Sequence, residues 1–386
     1  MNVISDPQQK IPIYSWADRI DPLSLQRLKT LARWDRLAGP IAVMPDIHFS
    51  GDVCIGTVLV TEDCVLPTAI GEDLGCGMCS QCFDFDARAL DRDALRRLVA
   101  EIMKDVPVGR RVHSTPQALS DVLRESALST GALAHQRDWL GSRHLGTLGG
   151  GNHFIELQRD TLNRLWVTVH SGSRGIGAAI ASHHARAAMS HDAAEHALPF
   201  IGSHSSESNA FLADLHWALI FAAENRKRML EQVVAILTRH IGNAITSDFF
   251  DVPHNVITRE THGGRTLFVH RKGAMPAAPG MRGIIPGSMG TASYIVEGLG
   301  NNASYGSCSH GAGRAYSRTE ARKRISIKDF RRQMRHVVYP DSSGVETALI
   351  EEAPAAYKNI KEVLEQQTDL VKPVLRLEPL AVIKGG

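Results

Sequence analysis

The chain has 386 residues, of which 43% are hydrophobic and 22% charged, with a formal net charge of +2. That is the composition of a soluble globular protein with enough length for a sizeable core, and it excludes a chain that is basic throughout as a nucleic-acid coat. At about 100–200 residues per domain, the length allows two or three domains or one large one.

The N-terminal MNVISDPQQK lacks an apolar segment after a basic start, so no signal peptide is expected. Residues 40–84 are rich in Val, Ile, Cys and Gly without a helical period, and they read as short strands and loops. Within them Cys76, Cys79 and Cys82 form C-x-x-C-x-x-C, which invites an iron–sulfur or zinc reading. No fourth cysteine follows at useful spacing, and CSQCFDF alternates like a strand, so a dedicated three-cysteine cluster is not expected. Residues 85–105 repeat apolar positions at helical spacing behind an Asp cap.

Residues 141–178 return to strand and glycine, with WVTVH ending at His170 before the loop SGSRG. Helices are expected at about 178–197 and 206–241. The second is long and amphipathic, with Leu212, Leu215, Leu219 and Phe221 as core candidates. Its WALIFAA, like the other apolar runs, is far too short to span a bilayer, and a cytoplasmic location is expected. Residues 250–310 are again strand- and glycine-rich. From Arg314 to Arg335 nine Lys or Arg residues face only Glu320 and Asp329, a local basic surface suited to phosphate. A last helix is expected near 344–369. Sheet-like and helical blocks mix without regular βαβ alternation, and no linker divides them, which points to an α+β fold in one large domain.

Five segments place His or Cys beside glycine or another small residue: GEDLGCGM, LGGGNHFIEL, VTVHSGSRG, DVPHNVI and SCSHGAGR. Strand ends followed by glycine loops are where sites tend to sit. A turn can aim Asp73 and Cys76 at one ion, and His153, His170 and His254 could complete the shell. A carboxylate, a thiolate and three imidazoles suit zinc, manganese or iron. Two metals joined by one thiolate would fit phosphoryl or nucleotidyl chemistry. There is no P-loop, no H-E-x-x-H helix and no K-x-D-G lysine motif for a covalent nucleotide. His310 is the alternative carrier, because an imidazole nitrogen can attack phosphorus. Gly311 and Gly313 would let phosphate approach the backbone, and Arg314 and Arg318 would offset its charge. The loop PGSMGTAS, Pro286–Ser293, has the same small, donor-rich character.

The ordered set MPDIH, GEDLGCGM, GTLGGGNHFIE, VHSGSRGIG, HNV, VHRKGA, PGSMGTASY, HGAGRAYSR and AVIKGG closely resembles the RtcB family of RNA-splicing ligases, from about residue 44 to the end. The resemblance implies a single domain over residues 1–386, with mixed β-sheets around a central metal-containing cleft and flanking helices. It also implies a monomeric ligase dependent on GTP and two manganese ions, in RNA repair or tRNA splicing. Such an enzyme joins RNA ends bearing a 3′-phosphate or 2′,3′-cyclic phosphate to a 5′-hydroxyl. On this basis His310 is the residue that GTP guanylylates, and Asp46 orients or polarises it. Cys76 bridges the two metals, with Asp73 and His153 on one and His170 and His254 on the other. Asn152, His153, Phe154, Ile155, Glu156, His254, Asn255, Pro286, Gly287, Ser288, Met289, Ser293, His310, Gly311, Ala312, Gly313 and Lys384 hold GMP. Arg174 binds an RNA or nucleotide phosphate, and Cys308 only packs.

The chain departs from the family at FSGDV, where a proline–glycine start such as HPGYG is usual, and at GEDLGCGM, which lacks the arginine of GYDINCGVR. A different class of reading is a metal-dependent RNA end-processing hydrolase without ligation, for which His310 and Lys384 would be superfluous. A non-catalytic RNA-binding module would not need the five metal ligands.

Overall fold

Successive side chains along Gly77–Asp86, Phe154–Asp160 and Arg164–Ser171 point to opposite faces, and most are buried, so these strands pack on both sides. They form the centre of an antiparallel seven-stranded sheet in the order Thr246–Pro253, Gly77–Asp86, Arg164–Ser171, Phe154–Asp160, Val371–Lys384, Ser293–Gly298 and Arg282–Ile285. A second, six-stranded sheet runs Asn2–Ile4, Ile13–Ser15, Ile41–His48, Ile55–Thr61, Arg265–Lys272 and Asn255–His262, antiparallel except for Ile13–Ser15 beside Ile41–His48. The computed structural model describes residues 1–188, 198–242, 245–341 and 343–385.

One face of the seven-stranded sheet packs on two helices. Arg92–Asp105 starts behind the Asp91 cap and buries Leu95, Leu98, Val99 and Ile102. Ser206–Ile241 is capped by Ser205, ends at Gly242, and contributes Met229, Val233, Ile236 and Leu237 to the same core. The other face meets the basic segment: Ala321, Ile325, Phe330 and Met334 turn inward against Met78, Cys82, Phe154 and Trp166. A third core joins the two sheets through Ala42, Met44, Val58 and Val60 from one and Val252, Val296 and Val371 from the other. The α+β expectation therefore holds, and of the two large sheets only the six-stranded one is mixed.

Several boundaries move. The helix expected over 85–105 is strand up to Asp86 and helix from Arg92. The helix expected at 178–197 begins earlier, at Arg174, and runs to Ala188; residues 189–197 lie outside the described residues. The last helix is broken into Ser343–Leu349, two short 3-10 turns and Ile360–Glu365, because Pro354 cannot continue an α-helix. Of the four core candidates on the long helix, Leu215 and Phe221 are fully buried and Leu212 and Leu219 pack at the edge. No helix among the described residues is long and apolar enough to cross a membrane.

Candidate active site

Strand Ile41–His48 carries Asp46 into the interior, where its carboxylate is wholly buried. One carboxylate oxygen, Oδ2, accepts from the His310 backbone N–H at 3.1 Å, the His310 Nδ1–H at 2.6 Å and the Gly311 N–H at 3.3 Å. A carboxylate only accepts, so Nδ1 carries a proton, and a neutral ring held in this way has its lone pair on Nε2. Gly313, at φ +73°, comes so close to the same strand that a Cβ there would lie 2.2 Å from the Asp46 carbonyl oxygen. The room at Gly313 is thus taken up by the protein's own backbone. At Gly311, which lines a cleft, the nearest atom to an added Cβ is 3.5 Å away, an ordinary contact with Pro286.

Five side chains converge next to this pair. Cys76 Sγ lies 3.3 Å from His170 Nε2 and 3.5 Å from His153 Nε2. His170 Nε2 is 3.3 Å from His254 Nε2, and His153 Nε2 is 2.9 Å from Asp73 Oδ2. Two donor groups result, Cys76–His170–His254 and Asp73–Cys76–His153, with Cys76 common to both. The ligand atoms of a tetrahedral centre with bonds of about 2.0–2.3 Å lie about 3.4 Å apart, which is the spacing of the thiolate–imidazole contacts. Nδ1 of His153 donates to the Leu148 carbonyl and Nδ1 of His170 to the Asn152 carbonyl, so their Nε2 lone pairs point into the cluster. A lone pair of His153 then faces the Asp73 carboxylate, an arrangement of acceptors that a cation between them satisfies.

Tertiary structure explains this convergence. A turn closes from Cys76 N–H to Asp73 C=O, and Gly75 is pressed against the long helix at Leu219. His254 sits where the chain leaves the edge of one sheet at Pro253 and enters the other at Asn255. Burial holds the His170 and His254 imidazoles well below their ordinary range, hence neutral. Burial, with the Asp73 charge, raises the Cys76 thiol; coordination reverses that preference, because a metal-bound thiol gives up its proton. The His254 and His310 ring centres are 4.6 Å apart, so the imidazole held by Asp46 adjoins the cluster.

Both open onto a cleft of about 2010 Å³. Asn152, Phe154, Glu156, Pro286, Gly287, Ser288 and Met289 line it, together with His310, Gly311, Ala312, Gly313 and Lys384. The Lys384 ammonium lies 5.4 Å from the Phe154 ring centre and donates to the Asn152 carbonyl at 3.3 Å. Five expected nucleotide contacts lie elsewhere, and one of them, His153, belongs to the donor cluster. Strand alternation turns Ile155 into the opposite core, and Ser293 is buried with its hydroxyl unpartnered. His254 is drawn into the donor cluster. Asn255 ties Asp73 C=O to the Gly273 N–H, which makes it a brace for the donor loop.

The three arginines differ. Arg314 donates to Tyr316 C=O, Glu351 C=O and the Glu352 carboxylate, so it is an internal anchor. Arg318 lines the cleft with its side chain 46% exposed. Arg174, at φ +58°, is half-buried with its guanidinium against Gly149 and within electrostatic reach of Asp73 and Cys76. Sequence reasoning passed over Glu352, buried and accepting from Lys384 at 2.7 Å, Arg314 at 3.1 Å and Tyr357 at 2.5 Å. Its only local signal was an acidic pair in a segment that reads as an amphipathic helix. Cys79 and Cys82, on opposite faces of one strand, pack in separate cores, and Cys308 is buried in a third.

The family model for "tRNA-splicing ligase RtcB" matches residues 27–385. The chain is 34% identical to the RNA-splicing ligase RtcB of Escherichia coli K12 over 405 aligned positions, covering 98% of both chains. It is 32% identical to RNA-splicing ligase RtcB2 of another Escherichia coli strain, covering 95% of this chain and 93% of that one. It is 29% identical to the tRNA-splicing ligase RtcB of Nanoarchaeum equitans, covering 94% and 91%. A match of this extent, over a chain whose motifs meet at one cleft, means that the protein belongs to the RtcB family of tRNA-splicing ligases.

Proposed function

We propose that the protein is a GTP- and manganese-dependent RNA ligase that joins a 3′-phosphate or 2′,3′-cyclic phosphate end to a 5′-hydroxyl end, in RNA repair or tRNA splicing. The observation that carries this reading is the placement of His310, held by Asp46, beside two donor groups that share Cys76. A simple hydrolase has no use for an imidazole oriented as a nucleotide carrier.

Nε2 of His310 attacks the α-phosphorus of GTP. A nitrogen–phosphorus bond forms, the bond to pyrophosphate breaks, and Asp46 compensates the positive charge that develops on the ring. GMP then passes to the RNA 3′-phosphate, restoring the imidazole. The RNA 5′-hydroxyl attacks the activated phosphate and GMP leaves. A cyclic phosphate is first opened by hydrolysis. Asp73, Cys76 and His153 would hold one divalent ion and Cys76, His170 and His254 the other. When bound, such ions stabilise charge on attacking and leaving oxygens. Glu156, Phe154, Lys384 and the loop from Pro286 to Met289 are the cleft residues suited to the nucleotide, and Arg318 to RNA phosphate. Cores that each combine segments far apart in the sequence support the reading of one ligase domain over residues 1–386.

The test is incubation with manganese and GTP labelled at the α-phosphate, with His310→Ala as control. An acid-labile guanylate adduct on the wild type and none on the variant is expected. An adduct on the variant, or cyclic-phosphate opening without any joining of ends, would overturn the reading.

A further inference from the structure

The ladder between Ile41–His48 and Ile55–Thr61 is interrupted between Val43 and His48, so the stretch that carries Asp46 lacks regular pairing. Pro45, just before Asp46, has no N–H to offer. A side chain from far along the sequence compensates. Lys358 Nζ donates to the Pro45 carbonyl at 3.0 Å and to the Ile47 carbonyl at 2.6 Å, the peptide oxygens on either side of Asp46. The backbone N–H of the same residue donates to Gly313 C=O at 2.9 Å, in the loop that follows His310. One residue therefore ties together the strand that supplies the carboxylate and the loop that supplies the imidazole.

We propose that Lys358 is a positioning residue for His310: it holds the two carbonyls that flank Asp46 and so fixes the carboxylate that orients the ring. This rests on the reading of His310 as the nucleophile. Lys358 also lines the cleft, and an ammonium has three donors, so a direct contact to substrate phosphate is the competing role. The two roles separate kinetically. A phosphate contact acts on GTP binding, whereas a misplaced ring acts on the rate once GTP is bound.

The experiment compares wild type with Lys358→Met, Lys358→Gln and Lys358→Arg in the full chain, measuring metal content and the rate of His310 guanylylation against GTP concentration. With metal content unchanged, the Met and Gln variants are expected to lose about 100-fold at saturating GTP, since misplacement by about 1 Å has that effect. Their half-saturating GTP concentration stays within about twofold, and Arg, which keeps both carbonyl bonds, recovers most of the rate. A raised half-saturating concentration with an unchanged maximal rate would overturn the proposal, as would full activity in the Met and Gln variants. If the wild type forms no adduct, the ligase reading fails separately. Positioning is then read from acylation of His310 by diethyl pyrocarbonate, mapped by mass spectrometry. Slower acylation in the Met and Gln variants supports the clamp, and equal rates reject it. Gln serves where Met does not fold.

Discussion

Arg226 and Asp251 form a two-pronged ion pair, at 2.5 and 2.7 Å, under the donor cluster. The same guanidinium donates to Gly75 C=O at 2.8 Å and Ser171 C=O at 2.9 Å, next to Cys76 and His170. Asp251 lies three residues before His254. One wholly buried arginine on the long helix thus fixes the three segments that supply the shared thiolate and two imidazoles.

Replacing Arg226 with Met is expected to destabilise the fold by about 3–5 kcal/mol, because Asp251 keeps a largely buried charge without its partner. Bound metal should fall with it. Denaturant unfolding and elemental analysis check both. Arg226→Lys keeps the charge but not the fork, so intermediate losses are expected.

The shared thiolate is tested by Cys76→Ser, which is expected to lower metal occupancy at both donor groups. Two ions per chain in the variant would contradict the bridge. Cys79→Ala and Cys82→Ala should leave metal content unchanged and cost roughly 1 kcal/mol each, since both thiols only fill cores.

The two glycines after His310 should respond differently. Gly313→Ala forces a Cβ against the Asp46 carbonyl at a positive φ, so guanylylation is expected to drop about 100-fold through misplacement of the ring. Gly311→Ala fits the protein without strain. Its expected effect is on GTP affinity alone, read from the concentration dependence of adduct formation.

Glu156 gives a signature in pH. Burial pushes its carboxyl up to about 8 from the ordinary 4.5, with the Lys384 charge pulling the other way. The folded chain therefore keeps a proton that the unfolded chain releases. That contribution to stability is fully present below 4.5 and is lost as pH rises through about 8. Glu156→Gln removes the dependence while keeping a partner for Gln158. Without nucleotide, the variant should gain on wild type by about 4 kcal/mol between about pH 5 and pH 9. Parallel stability–pH curves would contradict the assignment.

The sequence by itself determined the residues with unusual chemistry and much of the local structure. The donors and His310 stand beside glycines at strand ends, where short motifs are legible. The helix Ser206–Ile241 was readable to its ends, because its Ser205 cap, apolar period and Gly242 stop are local signals. Alternation in Gly77–Asp86 already separated Cys79 from Cys82. Tertiary structure alone decided what holds these groups in place. The strand Val371–Lys384 contains Pro373 and Pro379, which argue against a central strand, yet the sheet accommodates them at register shifts on both sides. Arg226, Glu352 and Lys358 look like ordinary surface charges along the chain. Their roles arise from pairing with groups remote in sequence, Lys358 with the carbonyls beside Asp46 above all. A pattern of nearest neighbours specifies helix or strand. It carries no information about which distant carbonyl or carboxylate a long side chain will meet once burial removes its water.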